Sequence, residues 1–151
     1  MFDLDEQEML VRLMAALAAG ALIGIDREVR NRPAGLRTHA LAAEGAALFT
    51  MAAILLAVEA DRTGVGPSDP GRIISTIVQG IGFLAAGVIF SHQAQVRGLT
   101  TAAGMWVTAA IGVLCGLGLY FLAVSATVAT VAVLAIVKQL ETRLVGGPDS
   151  D

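Results

Sequence analysis

The chain has 151 residues, 56% hydrophobic and only 15% charged, with a formal net charge of −3. A soluble domain carries about a quarter charged residues, so an ordinary soluble core is excluded, and the small, scattered charge gives no basic surface for nucleic acid. With one cysteine (Cys115) and two histidines (His39 and His92), neither an internal disulfide nor a His/Cys metal cluster is expected.

Residues 1–8 are an acidic N-terminal segment, in which Asp3, Asp5, Glu6 and Glu8 precede the first basic residue. It lacks the basic start and small-residue cleavage site of a secretory signal. Apolar runs of about 17 to 21 residues follow, each long enough to cross a bilayer as a helix. They predict five spans, at roughly 9–26, 38–58, 72–91, 99–117 and 119–137. The expected fold is thus an all-α integral membrane protein, with a transmembrane domain over 9–137 and a short tail over 138–151. The clearest break is "ADRTGVGPSDPGR" (60–72), rich in Gly, Pro and Asp. The weakest is "GLGLY" (116–120), which offers only a tight turn; one broken helix is the alternative there, although 39 residues are too many for a single crossing.

Orientation follows from the Lys/Arg bias of short loops. The first loop holds Arg27, Arg30, Arg32 and Arg37; with Arg97, Lys138 and Arg143 on the same side, seven basic residues are cytoplasmic. Only Arg62 and Arg72 then accompany the acidic N-terminus outside. This puts the N-terminus outside and the C-terminus in the cytoplasm.

Shifting the chain by 63 residues aligns Gly24 with Gly87, Gly35 with Gly98, Leu36 with Leu99, Thr38 with Thr101 and Ala40 with Ala103. "GLRTHA" (35–40) thereby meets "GLTTAA" (98–103) without a gap. The first four helices then read as two parallel-repeat hairpins, with a fifth helix outside the repeat. The motif glycines Gly35 and Gly98 close the loops. Thr38, and Thr100 or Thr101, can cap the helices that follow by accepting a bond from an orphaned backbone N–H. Helix starts of this kind, with Arg37 and Arg97 beside them, also attract anions; capping alone is the competing reading.

Asp26, Arg27 and Glu28 end the first helix, and His39 and Glu44 lie near the start of the second. Asp26, Arg37, His39 and Glu44 are expected to form a polar cluster, with Gln79 as a neighbour if the bundle closes compactly. A carboxylate at the depth of Glu44 is costly unless paired, protonated or hydrated, so the cluster reads either as an ion or proton path or as interfacial salt bridging. Arg12 is expected to snorkel to the outer headgroups. Ala16, Gly20 and Gly24 in the first helix, and Gly104, Thr108, Gly112 and Gly116 in the fourth, recur every four residues. They predict close helix packing, as do the glycines of "QGIGFLAAG" (79–87), and Trp106 is placed against such a stripe. No phosphate-binding loop, nucleophile triad or metal-ligand spacing is present, so neither catalysis nor a cofactor is expected.

"RNRPAGLRTHAL" (30–41), "GAALF" (45–49), "GIGFLAAGVIF" (80–90) and "VRGLTTAAGMWVTAAIGVLCGLGLY" (96–120) together resemble the MgtC/SapB family of bacterial inner-membrane proteins. The resemblance covers roughly residues 10 to 140. It implies a non-enzymatic regulatory protein linked to magnesium homeostasis and stress adaptation, with a membrane partner such as ATP synthase. Ending at Asp151, the chain is expected to be a short SapB- or YhiD-like member without the soluble C-terminal domain of MgtC-type relatives. It departs from the family pattern at Asp26, where Glu is usual, and at Glu44, where an uncharged residue is. The expected partners are the bilayer, another membrane protein and further copies of the chain. The alternative is a small oligomeric channel or transporter, with Glu44 and Gln79 along its path.

Overall fold

The computed structural model describes residues 5–64, 66, 69–89 and 98–144, with backbone alone for 137–144. The described residues form five helices: α1 (Glu6–Val29), α2 (Leu36–Thr63), α3 (Pro70–Ile89), α4 (Leu99–Gly116) and α5 (Tyr120–Leu144). The first four are each long and apolar enough to cross a membrane, and α5 has a shorter apolar stretch over Tyr120–Ile136. Hydropathy located all five elements; their ends differ because polar first and last turns also complete backbone hydrogen bonds. Thus α2 runs past the expected residue 58 to Thr63, its last turn carrying the Glu59–Arg62 pair at 2.8 Å. It closes on Gly64, whose φ of +68° suits glycine.

Two helices end in the same way. After α1, Asn31 takes φ +53°; its N–H bonds the Glu28 carbonyl at 3.0 Å, and the Arg32 N–H bonds Arg27 at 3.0 Å. After α4, Gly118 takes φ +75°, with Gly118 bonded to Cys115 and Leu119 to Leu114, both at 2.9 Å. Each pair of bonds satisfies carbonyls that the helix leaves orphaned and turns the chain back sharply. The "GLGLY" stretch therefore separates two helices.

Helices α1, α2 and α4 pack on one another, α3 packs on α2 and α4, and α5 packs on α1 and α4. Glycine sets these distances. A Cβ on Gly20 would sit 2.5 Å from the His39 carbonyl oxygen, and one on Gly24 2.6 Å from the Leu36 Cα. One on Gly116 would sit 2.8 Å from the Ala47 oxygen, and Gly112 lies directly against the Ala43 carbonyl. The α2–α4 contacts pair His39 with Thr108, Ala43 with Gly112 and Ala47 with Gly116, so the two helices run parallel in constant register. Relative to the helix starts Leu36 and Leu99, this register is offset by six residues. Helix α4 thus projects about 9 Å beyond α2 at the loop end. Ala16, Ile23, Ala43, Ala47, Ile111 and Cys115 fill the centre of the bundle.

Three expectations about side chains are corrected. Arg12 does not snorkel outward: it is 5% exposed, its Nη1 donates to the Gly116 carbonyl at 2.9 Å, and its Nε donates to Glu8 at 3.1 Å. The Tyr120 hydroxyl donates to the same Glu8 oxygen at 2.7 Å, so this cluster fastens the start of α1 to the α4–α5 turn. Trp106 is half exposed and does not pack into a small-residue stripe. In α3, Gly80, Gly82 and Gly87 face open space, with no atom within 4 Å of a Cβ placed on them. These glycines are therefore not closely packed against any of the described residues.

Candidate functional site

Three of the buried polar residues, Arg27, His39 and Thr108, lie where α1 ends and α2 begins. In the loop, "RNRPAG" turns the chain within six residues (30–35), with both Asn31 and Ala34 at positive φ. The N-caps of α2 and α4 are Gly35 and Gly98, with no side-chain cap bond at either. Thr38 and Thr101 are therefore third residues of their helices and Thr100 a second; none is a cap. At α2 the free N–H of Leu36 is taken by the Glu28 carboxylate at 2.8 Å. A carboxylate of the chain thus fills the anion position that this positive helix end offers.

His39 is fully buried at the junction of α1, α2 and α4. Its backbone oxygen faces Gly20 of α1, and its ring lies against Gly104 and Thr108 of α4. Nδ1 is 2.8 Å from the Thr108 hydroxyl oxygen, which itself lies 2.8 Å from the Gly104 carbonyl as a donor. Having given its one proton to that carbonyl, the hydroxyl can only accept from the ring. This network assigns the proton of a neutral His39 to Nδ1 and leaves Nε2 as a lone pair. Nε2 is buried and has no hydrogen-bond partner among the described residues. The ring can therefore accept a proton or a hydrogen bond from a donor that reaches it.

Arg27, 5% exposed, lies within Coulombic reach of His39. Asp26 pairs with Arg30 at 2.8 Å and sits 4.0 Å from the Arg27 Nε. Asp26 and His39, two of the four residues expected to cluster, are thus in one region, each beside Arg27. Two other expected members of the cluster are not. Arg37 and Thr38 are on the outer surface of the first turn of α2, and Thr100 is exposed likewise, whereas Thr101 is buried. Glu44 is half-buried and makes no hydrogen bond or ion pair with the described residues. Ala42 and Ala46 of α2 share one apolar cluster with Ile77 and Ile81 of α3 and Met105 of α4. Two residues along a helix is a rotation of about 200°, so Glu44 lies away from that cluster and the structure does not join it to Gln79. Gln79 itself is exposed on α3. Arg97 lies outside the described residues.

Thr108 is the polar partner that sequence reasoning placed only in a packing stripe. Its signal was a hydroxyl among glycines on one helix face, which the sequence alone does not match to His39, 69 residues away. Among the described residues no group of three or more His, Cys, Asp or Glu could hold a metal ion.

The geometry can be set beside known proteins. The MgtC family model matches residues 13–143. Over 135 residues the chain is 44% identical to Protein MgtC of Salmonella typhimurium, covering 89% of this chain and 54% of that protein. Over 128 residues it is 48% identical to Protein MgtC of Brucella abortus, covering 85% and 50%; Protein MgtC of Brucella suis gives the same figures. The chain thus spans about half the length of the curated relatives it matches. No solved structure matches it. A family match across most of the bundle, together with this level of identity, establishes that the chain belongs to the MgtC family.

Proposed function

We propose that the protein is a non-enzymatic regulatory protein of the bacterial inner membrane, with its N-terminus outside and its C-terminus cytoplasmic. It works through the loop end of the bundle, where the Lys/Arg bias places the cytoplasm. Arg37, Thr38 and Thr100 form the outward contact surface, and Asp26, Arg27, His39 and Thr108 hold it rigid from beneath. Family membership extends the reading to adaptation to limiting magnesium and to control of a membrane partner such as ATP synthase.

The observation that carries this reading is the division between buried and exposed polar groups at that end. His39 and Thr108 are wholly buried beneath an exposed Arg37. Below them, the approaches at Gly20, Gly112 and Gly116 bring backbone against backbone. Such a bundle suits a fixed surface for a partner better than a path through its own core. Transport by way of Glu44 and Gln79 is correspondingly less favoured, since the two lie apart.

The test is growth under magnesium limitation of a host that depends on this chain, with membrane levels of each variant matched. Arg37→Ala should lose the protective effect, whereas Val128→Ala, a lipid-facing change on α5, should keep it. If Arg37→Ala protects as well as wild type, the loop-end surface is not the working site.

A further inference from the structure

We infer that α3 is the interface through which two copies of this chain associate in the membrane, with Gln79 at its centre. This stands independently of the regulatory reading. The first observation is depth. Helix α3 has 20 residues, about 30 Å at 1.5 Å per residue, which matches the hydrocarbon core. Gln79 stands nine residues from its start and ten from its end, hence at the midplane. It is exposed and hydrogen-bonds nothing among the described residues. Lipid tails offer a primary amide no partner, and an unmet polar group in hydrocarbon costs several kcal/mol.

The second observation is that the outward side of α3 carries small and polar residues around one projecting ring. Its buried residues are Ile81 and Ala85, with Ile74, Ile77 and Val88 half-buried beside them. Opposite these, Thr76, Gln79, Gly80 and Gly87 surround Phe83, which is 81% exposed. Val78 and Leu84 are exposed as well, so the outward side sets small and polar residues among large apolar ones.

A third observation comes from the 63-residue shift. Ala16, Gly20 and Gly24, on the buried face of α1, correspond to Gln79, Phe83 and Gly87. The face that α1 buries inside the bundle is therefore the one that α3 leaves outside.

The occupant that fits is a second copy related by a twofold axis along the membrane normal. An amide carries both donor and acceptor, so two Gln79 side chains can satisfy each other across such an axis. The same face also holds a projecting ring, Phe83, and empty notches at Gly80 and Gly87, where a Cβ would meet nothing within 4 Å. Knob and notch on one surface are what a self-complementary twofold contact requires. Spacings of four, three and four along Thr76, Gly80, Phe83 and Gly87 match a left-handed helix pair. Arg72 also lies on this exposed side, at the first turn of α3. There the two arginines would be at the membrane edge, where water screens their repulsion.

The experiment uses full-length chain in liposomes, with donor- and acceptor-labelled copies diluted in lipid to follow association by energy transfer. Gln79→Leu should raise the dissociation constant about threefold to tenfold, the range for one interhelical hydrogen bond in a membrane. Gly80→Leu should raise it further, while leaving the unfolding midpoint of the protomer unchanged, because no atom of the protomer stands near that Cβ. Val128→Ala on α5 should change nothing. Gln79→Cys, with native Cys115 buried as the parent control, should give an oxidative product of twice the chain mass. The inference is overturned if the chain stays monomeric at every dilution. It is equally overturned if its dimer ignores both Gln79→Leu and Gly80→Leu, or if Gln79→Cys links only to a different polypeptide.

Discussion

Replacing Gly20 with alanine tests the helix contact on which the candidate site rests. Alanine is the better helix former by about 1 kcal/mol, so on an open helix face the change stabilises. At Gly20 the new Cβ would be 2.5 Å from the His39 oxygen and 2.9 Å from the Ala40 Cα and Ala43 Cβ. Ordinary contact begins at 3.4 Å, so α2 must withdraw by about 0.9 Å, and the obstacle is backbone with no rotamer to yield. Overpacking of this kind costs about 1–3 kcal/mol. Moving the His39 backbone also strains its 2.8 Å bond to Thr108, worth about 1 kcal/mol more. Set against the propensity gain, the net expectation is a loss of about 1–3 kcal/mol. Gly45 in α2 is the matched control, since no atom lies within 4 Å of its Cβ position, and Gly45→Ala should stabilise by up to about 1 kcal/mol. Thermal unfolding of both variants in bicelles reads the difference, with Gly20→Ala melting several degrees below wild type and Gly45→Ala at or above it. Equal midpoints for the two would refute the α1–α2 packing and the position of His39 with it.

Three further variants probe separate parts of the structure. Arg12→Met removes a charged donor from the Gly116 carbonyl and should cost about 2 kcal/mol in denaturant unfolding, whereas an arginine reaching headgroups would cost almost nothing. Thr108→Val keeps the shape but strips His39 of its partner; a loss of about 1–3 kcal/mol is expected, with the ring-nitrogen resonances of His39 no longer those of a single Nδ1–H tautomer. Pro33→Cys should react with impermeant thiol reagent only from the cytoplasmic side and Asp61→Cys only from the outside; the reverse pattern would invert the proposed orientation.

The division into helices was legible because lipid and water sort residues so sharply that apolar runs mark spans. The glycine stripes of α1 and α4 were legible for a related reason, as close approach demands small residues at helical spacing. Which way a polar residue points was not. Arg12 sits about one turn inside the expected span 9–26, where snorkelling is the usual fate of arginine. The carbonyl that claims it belongs to Gly116, 104 residues away, and only the folded bundle brings them together. The threonines of the two Gly-Leu motifs misled in another way. Glycine took both N-cap positions, and Glu28 from the preceding helix satisfied Leu36, a bond across a loop that no local pattern announces. Glu44 and Gln79 were expected to be neighbours only if the bundle closed compactly, which depended on helix rotation, and the α2 residues that share an apolar cluster with α3 are Ala42 and Ala46. In α3 the same small-residue signal misled, since Gly80, Gly82 and Gly87 face open space in the structure.

A bundle that presents a fixed surface to a partner should not itself conduct. The most direct test is flux through proteoliposomes containing only the full-length protein, assayed for magnesium, protons and common anions, with its helical fold verified by circular dichroism in the same preparation. Flux no higher than in protein-free vesicles is predicted. Flux that rises with protein content and is abolished by Glu44→Ala would contradict the account and restore the channel reading.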